Sequence, residues 1–216
     1  MSGRPRDAAA EASVDLYWLP LGAGPGGWLV RASGHLYEAL VALRHHRARS
    51  QLYHSALIVN MDGHASVIEM APVWVTSTPD RGVVATGAVG MPAWGHSRLF
   101  RYEVRCWRDG TIPDLGDAEG DPRRVSSDVM HARQVLDVVS AFPTATWGRD
   151  EQSAGEMWNS NSLTAWLLAR SGHDTQAADL QPPRHGRAPG WQAGLAVAAR
   201  PHNRSPGMTS HTCETA

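Results

Sequence analysis

A polar cluster stands immediately before an apolar helical pattern in residues 158–168, WNSNSLTAWLL. Apolar residues then recur at i, i+3 and i+4, namely Leu163, Trp166 and Leu167. This spacing predicts a helix with one buried face, and Asn and Ser are preferred residues at a helix N-terminus. The free N–H groups and the positive dipole end there favour an oxyanion or an ionised nucleophile. Ser160 or Ser162 is therefore either a nucleophile at an accessible cap or a capping residue of a core helix.

Residues 53–72 have the pattern of a β-hairpin. Two runs of β-branched and apolar residues flank Asp62 and Gly63, and Asp-Gly is a strong signal for a tight turn. His54 opens the first predicted strand and Glu69 closes the second. Because residues equidistant from the turn face each other in an antiparallel pair, we expect His54 and Glu69 to share one end of the sheet.

In this order, the two segments resemble the circularly permuted papain-like fold of PPPDE-type desumoylating isopeptidases and, more distantly, of lecithin:retinol acyltransferase-like and NlpC-type proteins. In the PPPDE pattern a histidine opens a strand that reads like His-x-x-Ile-Val-Val, and Asn-Cys-Asn-x-Phe later begins a helix. Residues 53–59 (YHSALIV) and 159–163 (NSNSL) stand in those places. The resemblance covers two short segments and implies an α+β domain with a mostly antiparallel sheet packed against a few helices.

The resemblance also implies a catalytic site between sheet and helix. His54 would be the general base, Ser160 the nucleophile and Glu69 the group that orients the imidazole. Asn159 and Asn161 would donate hydrogen bonds or shape the cap. The residues expected to bind substrate are Asn159, Asn161, Ser162 and Trp191. For Trp191 two interpretations stay open, a core residue or an aromatic platform at the mouth of the cleft.

The chain departs from the family at the nucleophile, because Ser160 stands where the family carries its catalytic cysteine. A hydroxyl is a weaker nucleophile than a thiol and needs both a positioned base and a well-formed oxyanion hole. Three functions therefore remain open. The first is a hydrolase or acyltransferase that acts on an amide, isopeptide or ester bond; the second is a catalytically inactive binding or scaffolding domain of the same fold; the third is an unrelated globular domain.

Composition limits the other classes of function. The chain has 216 residues, of which 42% are hydrophobic, and a formal net charge of −1, so no global basic field recruits nucleic acid. All 20 basic residues are arginine, which excludes Schiff-base chemistry and the P-loop lysine. With abundant Ala, Gly and Pro, the preference for Arg is typical of GC-rich bacterial coding. We expect a peptide, a protein or a small acyl compound as the partner.

No cofactor or metal is expected. Cys106 and Cys213 cannot form a four-ligand zinc site and have no Cys-x-x-Cys spacing, and a structural disulfide is not expected. No run approaches the 18 apolar residues of a membrane span, and the N-terminus lacks a secretory pattern. The sequence therefore predicts a cytoplasmic protein without a membrane span, and it does not indicate an oligomeric state.

The periodicity divides the chain into a flexible N-terminus (1–13), a single α+β domain (14–199) and a disordered tail (200–216). Within the domain, strands are expected at 15–21 and 98–107, the latter with Phe100, Tyr102, Val104 and Cys106 in the core. Further predictions are helices at 34–49 and 128–142, the second beside the Ser160 helix, loops at 113–127 and 181–191, and a closing strand at 194–198.

Overall fold

A six-stranded antiparallel sheet organises the chain. The computed structural model describes residues 12–21, 50–73, 80–112, 115–177 and 180–201. The strands are β1 (Ser13–Pro20), β2 (Tyr53–Met61), β3 (His64–Pro72), β4 (Val83–Ala88), β5 (Arg101–Arg108) and β6 (Arg123–Ser126). Their order across the sheet is β4-β5-β3-β2-β1-β6, so β4 and β6 form its edges.

The predicted hairpin is confirmed. β2 and β3 pair antiparallel with Met61 opposite His64. The two residues between them, Asp62 and Gly63, have φ values of 54° and 79°. Positive φ at both central positions is the conformation that matches the twist of the strands, and Asp-Gly adopts it at low cost. The turn therefore fixes the pairing register along the whole hairpin.

In the part of the chain that the structure describes, three α-helices accompany the sheet: α1 (Val129–Val138), α2 (Ser160–Arg170) and α3 (Trp191–Ala198). Short 3₁₀ helices lie at Pro92–His96, Arg98–Phe100, Leu115–Asp117, Val139–Ala141 and Pro183–His185. As predicted, α1 packs beside α2, and both helices contact β2. The arrangement confirms an α+β fold with an antiparallel sheet packed against a few helices.

The sheet has apolar side chains on both faces. The main core lies between the helices and one face, and includes Leu57 of β2 and Leu163 of α2. A second, smaller cluster on the other face contains Leu19, Ala56 and Val67. Because side chains alternate along a strand, Ala56 and Leu57 point to opposite faces. This division decides where the predicted site residues of β2 point.

Charged side chains are buried on the face of β5 opposite Tyr102, Val104 and Cys106, although the sequence predicts only that apolar side in the core. Arg105 is fully buried and Glu103 nearly so. Arg105 donates to Glu69 at 2.8 Å and to Glu103 at 3.1 Å, and Arg81 also donates to Glu103. Burial alone would raise the pKa of Glu103, but the hydrogen bonds from Arg81 and Arg105 hold that pKa below its ordinary value. The charges are buried because they are paired.

Several predicted elements differ in the structure. Residues 194–198 belong to helix α3 and not to a closing strand, because a short apolar run of this length suits either element and its alanines favour a helix. The predicted loop at 113–127 contains strand β6. β5 begins at Arg101, and Phe100 is exposed at the end of a 3₁₀ helix instead of lying in the core. The predicted helix at 34–49 lies outside the described residues, as does almost all of the predicted tail.

Two further findings concern cysteine and membranes. Cys106 is disulfide-bonded, contrary to expectation. In the described ranges, no helix has both the length and the apolar character needed to cross a bilayer.

Candidate functional site

The N-terminus of α2 is held by a reciprocal cap. Asn159 is extended, and its side-chain oxygen accepts from the backbone N–H groups of Asn161 at 2.9 Å and Ser162 at 3.3 Å. The Ser162 hydroxyl accepts in return from the backbone N–H of Asn159 at 3.1 Å. Such a capping box satisfies N–H groups that have no partner inside the helix. The local sequence NSNS therefore forms a helix start, as its composition predicts.

Asn161 joins this cap to strand β2. Its side-chain oxygen accepts from the Ser55 hydroxyl at 2.9 Å, and its amide group donates to the Tyr53 carbonyl at 2.9 Å. The same amide donates to the Pro189 carbonyl at 2.9 Å. All of these polar groups are buried or nearly so. Asn161 is thus the residue through which helix, sheet and the 187–190 segment meet.

The other polar residues of the cluster reach the same segment. Asn159 donates to the Pro189 carbonyl at 2.8 Å, and the Ser162 hydroxyl donates to the Gly190 carbonyl at 2.8 Å. A Cβ on Gly190 would lie 2.4 Å from the Asn159 side-chain oxygen, and Gly190 has a φ of 90°. Only glycine fits this close approach without strain. Asn159, Asn161 and Ser162, expected to bind substrate, make these hydrogen bonds within the chain.

Ser160 begins α2 and is only 4% exposed. Its position at the first helical residue agrees with the predicted place of the nucleophile. Its low exposure differs from the accessible cap that nucleophilic attack on an external substrate would need. Its neighbours on either side, Asn159 and Asn161, are also buried.

His54 and Ser55 leave β2 on opposite faces of the sheet. β2 pairs with β1 in unbroken register from Tyr53 to Asn60, with His54 opposite Leu19. Ser55 contacts Asn161 on the helix side, whereas Leu19 belongs to the apolar cluster of the other face. Strand alternation therefore directs the His54 side chain away from the face that holds α2. Ser55, and not His54 as predicted, therefore lies beside the N-terminus of α2.

Glu69 lies on the same face of the sheet as His54. The hairpin register pairs Leu57 with Ile68, so one step further Glu69 stands opposite Ala56, diagonal to His54. The Glu69 carboxylate accepts from Arg105 at 2.8 Å. The hairpin thus brings the two predicted residues to one end of the sheet, as expected, but on the face away from Ser160.

Trp191 is a core residue at the start of α3. It is 7% exposed, and its ring lies 5.4 Å from the ring of Trp18. A cavity of about 190 Å³ lies beside it, between the 180–192 segment and Glu156. The Glu156 carboxylate accepts from the backbone N–H groups of Gly190 at 2.8 Å and Gln192 at 3.2 Å. Of the two interpretations of Trp191, its burial favours the core residue.

Two residues that hold this region together were not predicted from the sequence as site residues. Ser55 and Arg105 are buried and make the hydrogen bonds that fix Asn161 and Glu69. Neither residue belongs to a recognisable sequence motif, since each is a single polar residue within a strand pattern, Ser55 in β2 and Arg105 in β5. In the described part of the chain, no group of three or more His, Cys, Asp or Glu side chains has the arrangement of a metal site.

Comparison with known proteins finds no family model, no curated protein and no solved structure that matches the chain.

Proposed function

We propose that this protein is a non-catalytic binding or scaffolding domain, a relative of the permuted papain-like fold that lost the thiol of its ancestors. The observation that carries the proposal is the contact between Ser55 and Asn161, 2.9 Å apart. A hydroxyl occupies the position beside the helix N-terminus where a base would have to stand. A serine hydroxyl without an adjacent base remains protonated and is a poor nucleophile at neutral pH.

The hydrogen bonds of the cap support the same conclusion. A catalytic helix N-terminus offers its donors to the oxyanion of the reacting substrate. Here Asn159, Asn161 and Ser162 direct their side chains to backbone groups of the cap, of β2 and of residues 189–190. A substrate would have to displace these buried hydrogen bonds. Replacing them would cost more than binding to a site that is already open.

The order of elements supports the kinship. A strand near the start of the domain and a helix capped by Asn159 meet through side chains, as the family pattern implies for its strand and its nucleophile helix. Serine at position 160 and the orientation of His54 support a domain that would have kept the fold and lost the catalytic pair. The domain would then bind its partner through an exposed surface and not in a catalytic cleft.

A serine-directed probe tests the proposal on the full chain. We expect a fluorophosphonate to leave Ser160 unlabelled, and the slow hydrolysis of a p-nitrophenyl ester to be the same in wild type, Ser160→Ala and His54→Ala. The exposed His96→Ala variant is the matched control for nonspecific imidazole catalysis. Labelling of Ser160 that disappears in His54→Ala would overturn the proposal and restore the hydrolase hypothesis.

A further inference from the structure

The connection between β4 and β5, residues 89–100, exposes several large apolar side chains at the β4 edge of the sheet. Leu99 is 68% exposed and Trp94 47%, and Met91 and Phe100 are also exposed. The Trp94 and Phe100 rings contact each other, with centroids 4.9 Å apart. Single exposed apolar residues are ordinary, but a contiguous set on one connection marks an interaction surface.

The backbone hydrogen bonds of this connection hold the apolar set in place. Val89 donates to the Phe100 carbonyl at 2.8 Å, which closes the base of the connection. Gly90 donates to the Trp147 carbonyl at 3.0 Å, and a Cβ on Gly95 would lie 3.1 Å from that of Ala88. The 3₁₀ turns therefore pack on the end of β4. The aromatic pair is presented on a fixed base.

The connection itself carries basic and no acidic side chains. Residues 81–102 contain no Asp or Glu, although the whole chain has a net charge of −1. His96, Arg98 and Arg101 stand among the exposed apolar residues. The Nε of Arg101 is shielded from solvent and has no hydrogen-bond partner among the residues that the structure describes. The neighbouring carboxylate of Glu103 is already paired with Arg81 and Arg105.

We propose that the 89–100 connection docks on an anionic membrane surface. Tryptophan, phenylalanine and leucine enter the boundary between headgroups and acyl chains, while arginine binds the lipid phosphates. The proposal rests on the proposed binding function and names its partner.

Charge and side-chain type favour this partner over two others. A second copy of the chain, docked symmetrically on the same patch, would bring two sets of the same basic side chains into one interface, which like-charge repulsion disfavours. Nucleic acid would use the aromatic rings for stacking, but it would leave the exposed Leu99 and Met91 without a role. A lipid interface accommodates both the aliphatic and the aromatic side chains.

Vesicle flotation of the full chain tests this proposal. We expect the protein to float with phosphatidylcholine vesicles that contain phosphatidylglycerol, and to stay behind with pure phosphatidylcholine. The double variant Trp94→Ser, Leu99→Ser should reduce the bound fraction at least about tenfold, since two large apolar side chains are lost from the interface. Arg98→Glu should also weaken binding and reduce its dependence on salt.

Met130→Ser is the matched control, because Met130 is 62% exposed but lies just after β6, at the opposite edge of the sheet. It should bind like the wild type. Absence of flotation, equal binding to neutral vesicles, or equal binding by the double variant would each overturn the proposal. Self-association or nucleic-acid binding that requires Trp94, in place of flotation, would overturn it as well. These variants leave Ser160 and His54 unchanged, so failure here is distinct from failure of the proposed function.

Discussion

Asn161 and Ser55 show at the scale of single residues why a polar cluster at a helix start need not be a catalytic site. Each polar atom of the Asn161 side chain has a partner, and those partners lie on two other parts of the chain. A buried amide that is fully hydrogen-bonded specifies how elements dock. The cluster therefore fixes how α2 docks on the sheet.

Asn161→Ala should therefore lower stability strongly. The change removes the Asn161 hydrogen bonds of the buried Ser55 hydroxyl and Tyr53 carbonyl and leaves the Pro189 carbonyl with its bond from Asn159, and we expect a loss of about 2–4 kcal/mol in the free energy of unfolding. Urea denaturation followed by tryptophan fluorescence measures it. Gln134→Ala, on the exposed side of α1, should change little. If both variants lost equally little free energy of unfolding, Asn161 would not fix the docking of α2 on the sheet.

A histidine pair predicts how stability depends on pH. The rings of His131 and His173 lie 4.7 Å apart. Burial lowers the pKa of His173, and the neighbouring His131 lowers it further. The ordinary pKa of histidine, about 6.5, applies in the unfolded chain. Below that pH the unfolded state binds a proton that the native state resists, so the free energy of unfolding falls as the solution becomes acidic.

His173→Gln should flatten this fall below about pH 6.5, because the group that titrates differently in the two states is gone. Denaturation curves at pH 7.5 and pH 5 provide the comparison, with the exposed His96→Gln as control. The account would fail at this residue if wild type and His173→Gln lost the same stability on acidification.

The helix cap could be predicted from the sequence, but the face of the sheet from which the His54 side chain projects could not. Asn159 and the following serines are strong helix-start signals, and they form the cap. In YHSALIVN both alternating sets contain apolar residues, and both faces of β2 are in fact covered. A period of two identifies which residues share a face, but not which face receives the helix. The sequence therefore does not determine whether His54 or Ser55 faces the helix.

At the scale of elements, β5 and β3 are held together by paired charges. Arg105 bridges Glu69 of β3 and Glu103 of its own strand in a fully buried position. Alternation of charged and apolar residues in β5 predicted its apolar core side, and Tyr102, Val104 and Cys106 are there. The charged side is buried as well, which the alternation did not predict, because ion pairing across strands is invisible to a single-strand pattern.

Arg105→Ala should cost about 3–5 kcal/mol, since it removes the buried guanidinium that pairs with the carboxylates of Glu69 and Glu103. Guanidinium denaturation measures the loss. Arg133→Ala, on the exposed side of α1, is the matched control and should lie within about 0.5 kcal/mol of wild type. Equal stability of the two variants would mean that the pairs contribute nothing to the sheet.

The contact between α2 and α3 depends on Gly194. A Cβ there would lie 2.3 Å from the Ser162 carbonyl oxygen and 2.9 Å from the Cβ of Ala165. Gly194→Ala should thus force the helices apart and cost about 1–3 kcal/mol despite the better helix propensity of alanine. Gly116→Ala makes the same change where nothing lies nearby and should be neutral. A thermal unfolding midpoint that rises in Gly194→Ala would contradict the close packing.

For the molecule as a whole, the sheet keeps the predicted catalytic residues apart. Helices cover one face, where Ser160 and Asn161 lie, and His54 leaves from the other. The α+β class and the hairpin follow from local periodicity and turn chemistry, so they could be predicted. The site depends on which face each strand presents after folding, which is a property of the assembled sheet.

The pKa of a thiol placed at position 160 tests this separation most directly. We compare Ser160→Cys with and without His54→Ala, in a background where Cys106 and Cys213 are replaced, and follow thiolate absorbance at 240 nm against pH. Without an imidazole beside it, the thiol should titrate at the same pH in both proteins. A thiol pKa depressed below about 7 that rises when His54 is removed would show a base–nucleophile pair and contradict the non-catalytic account.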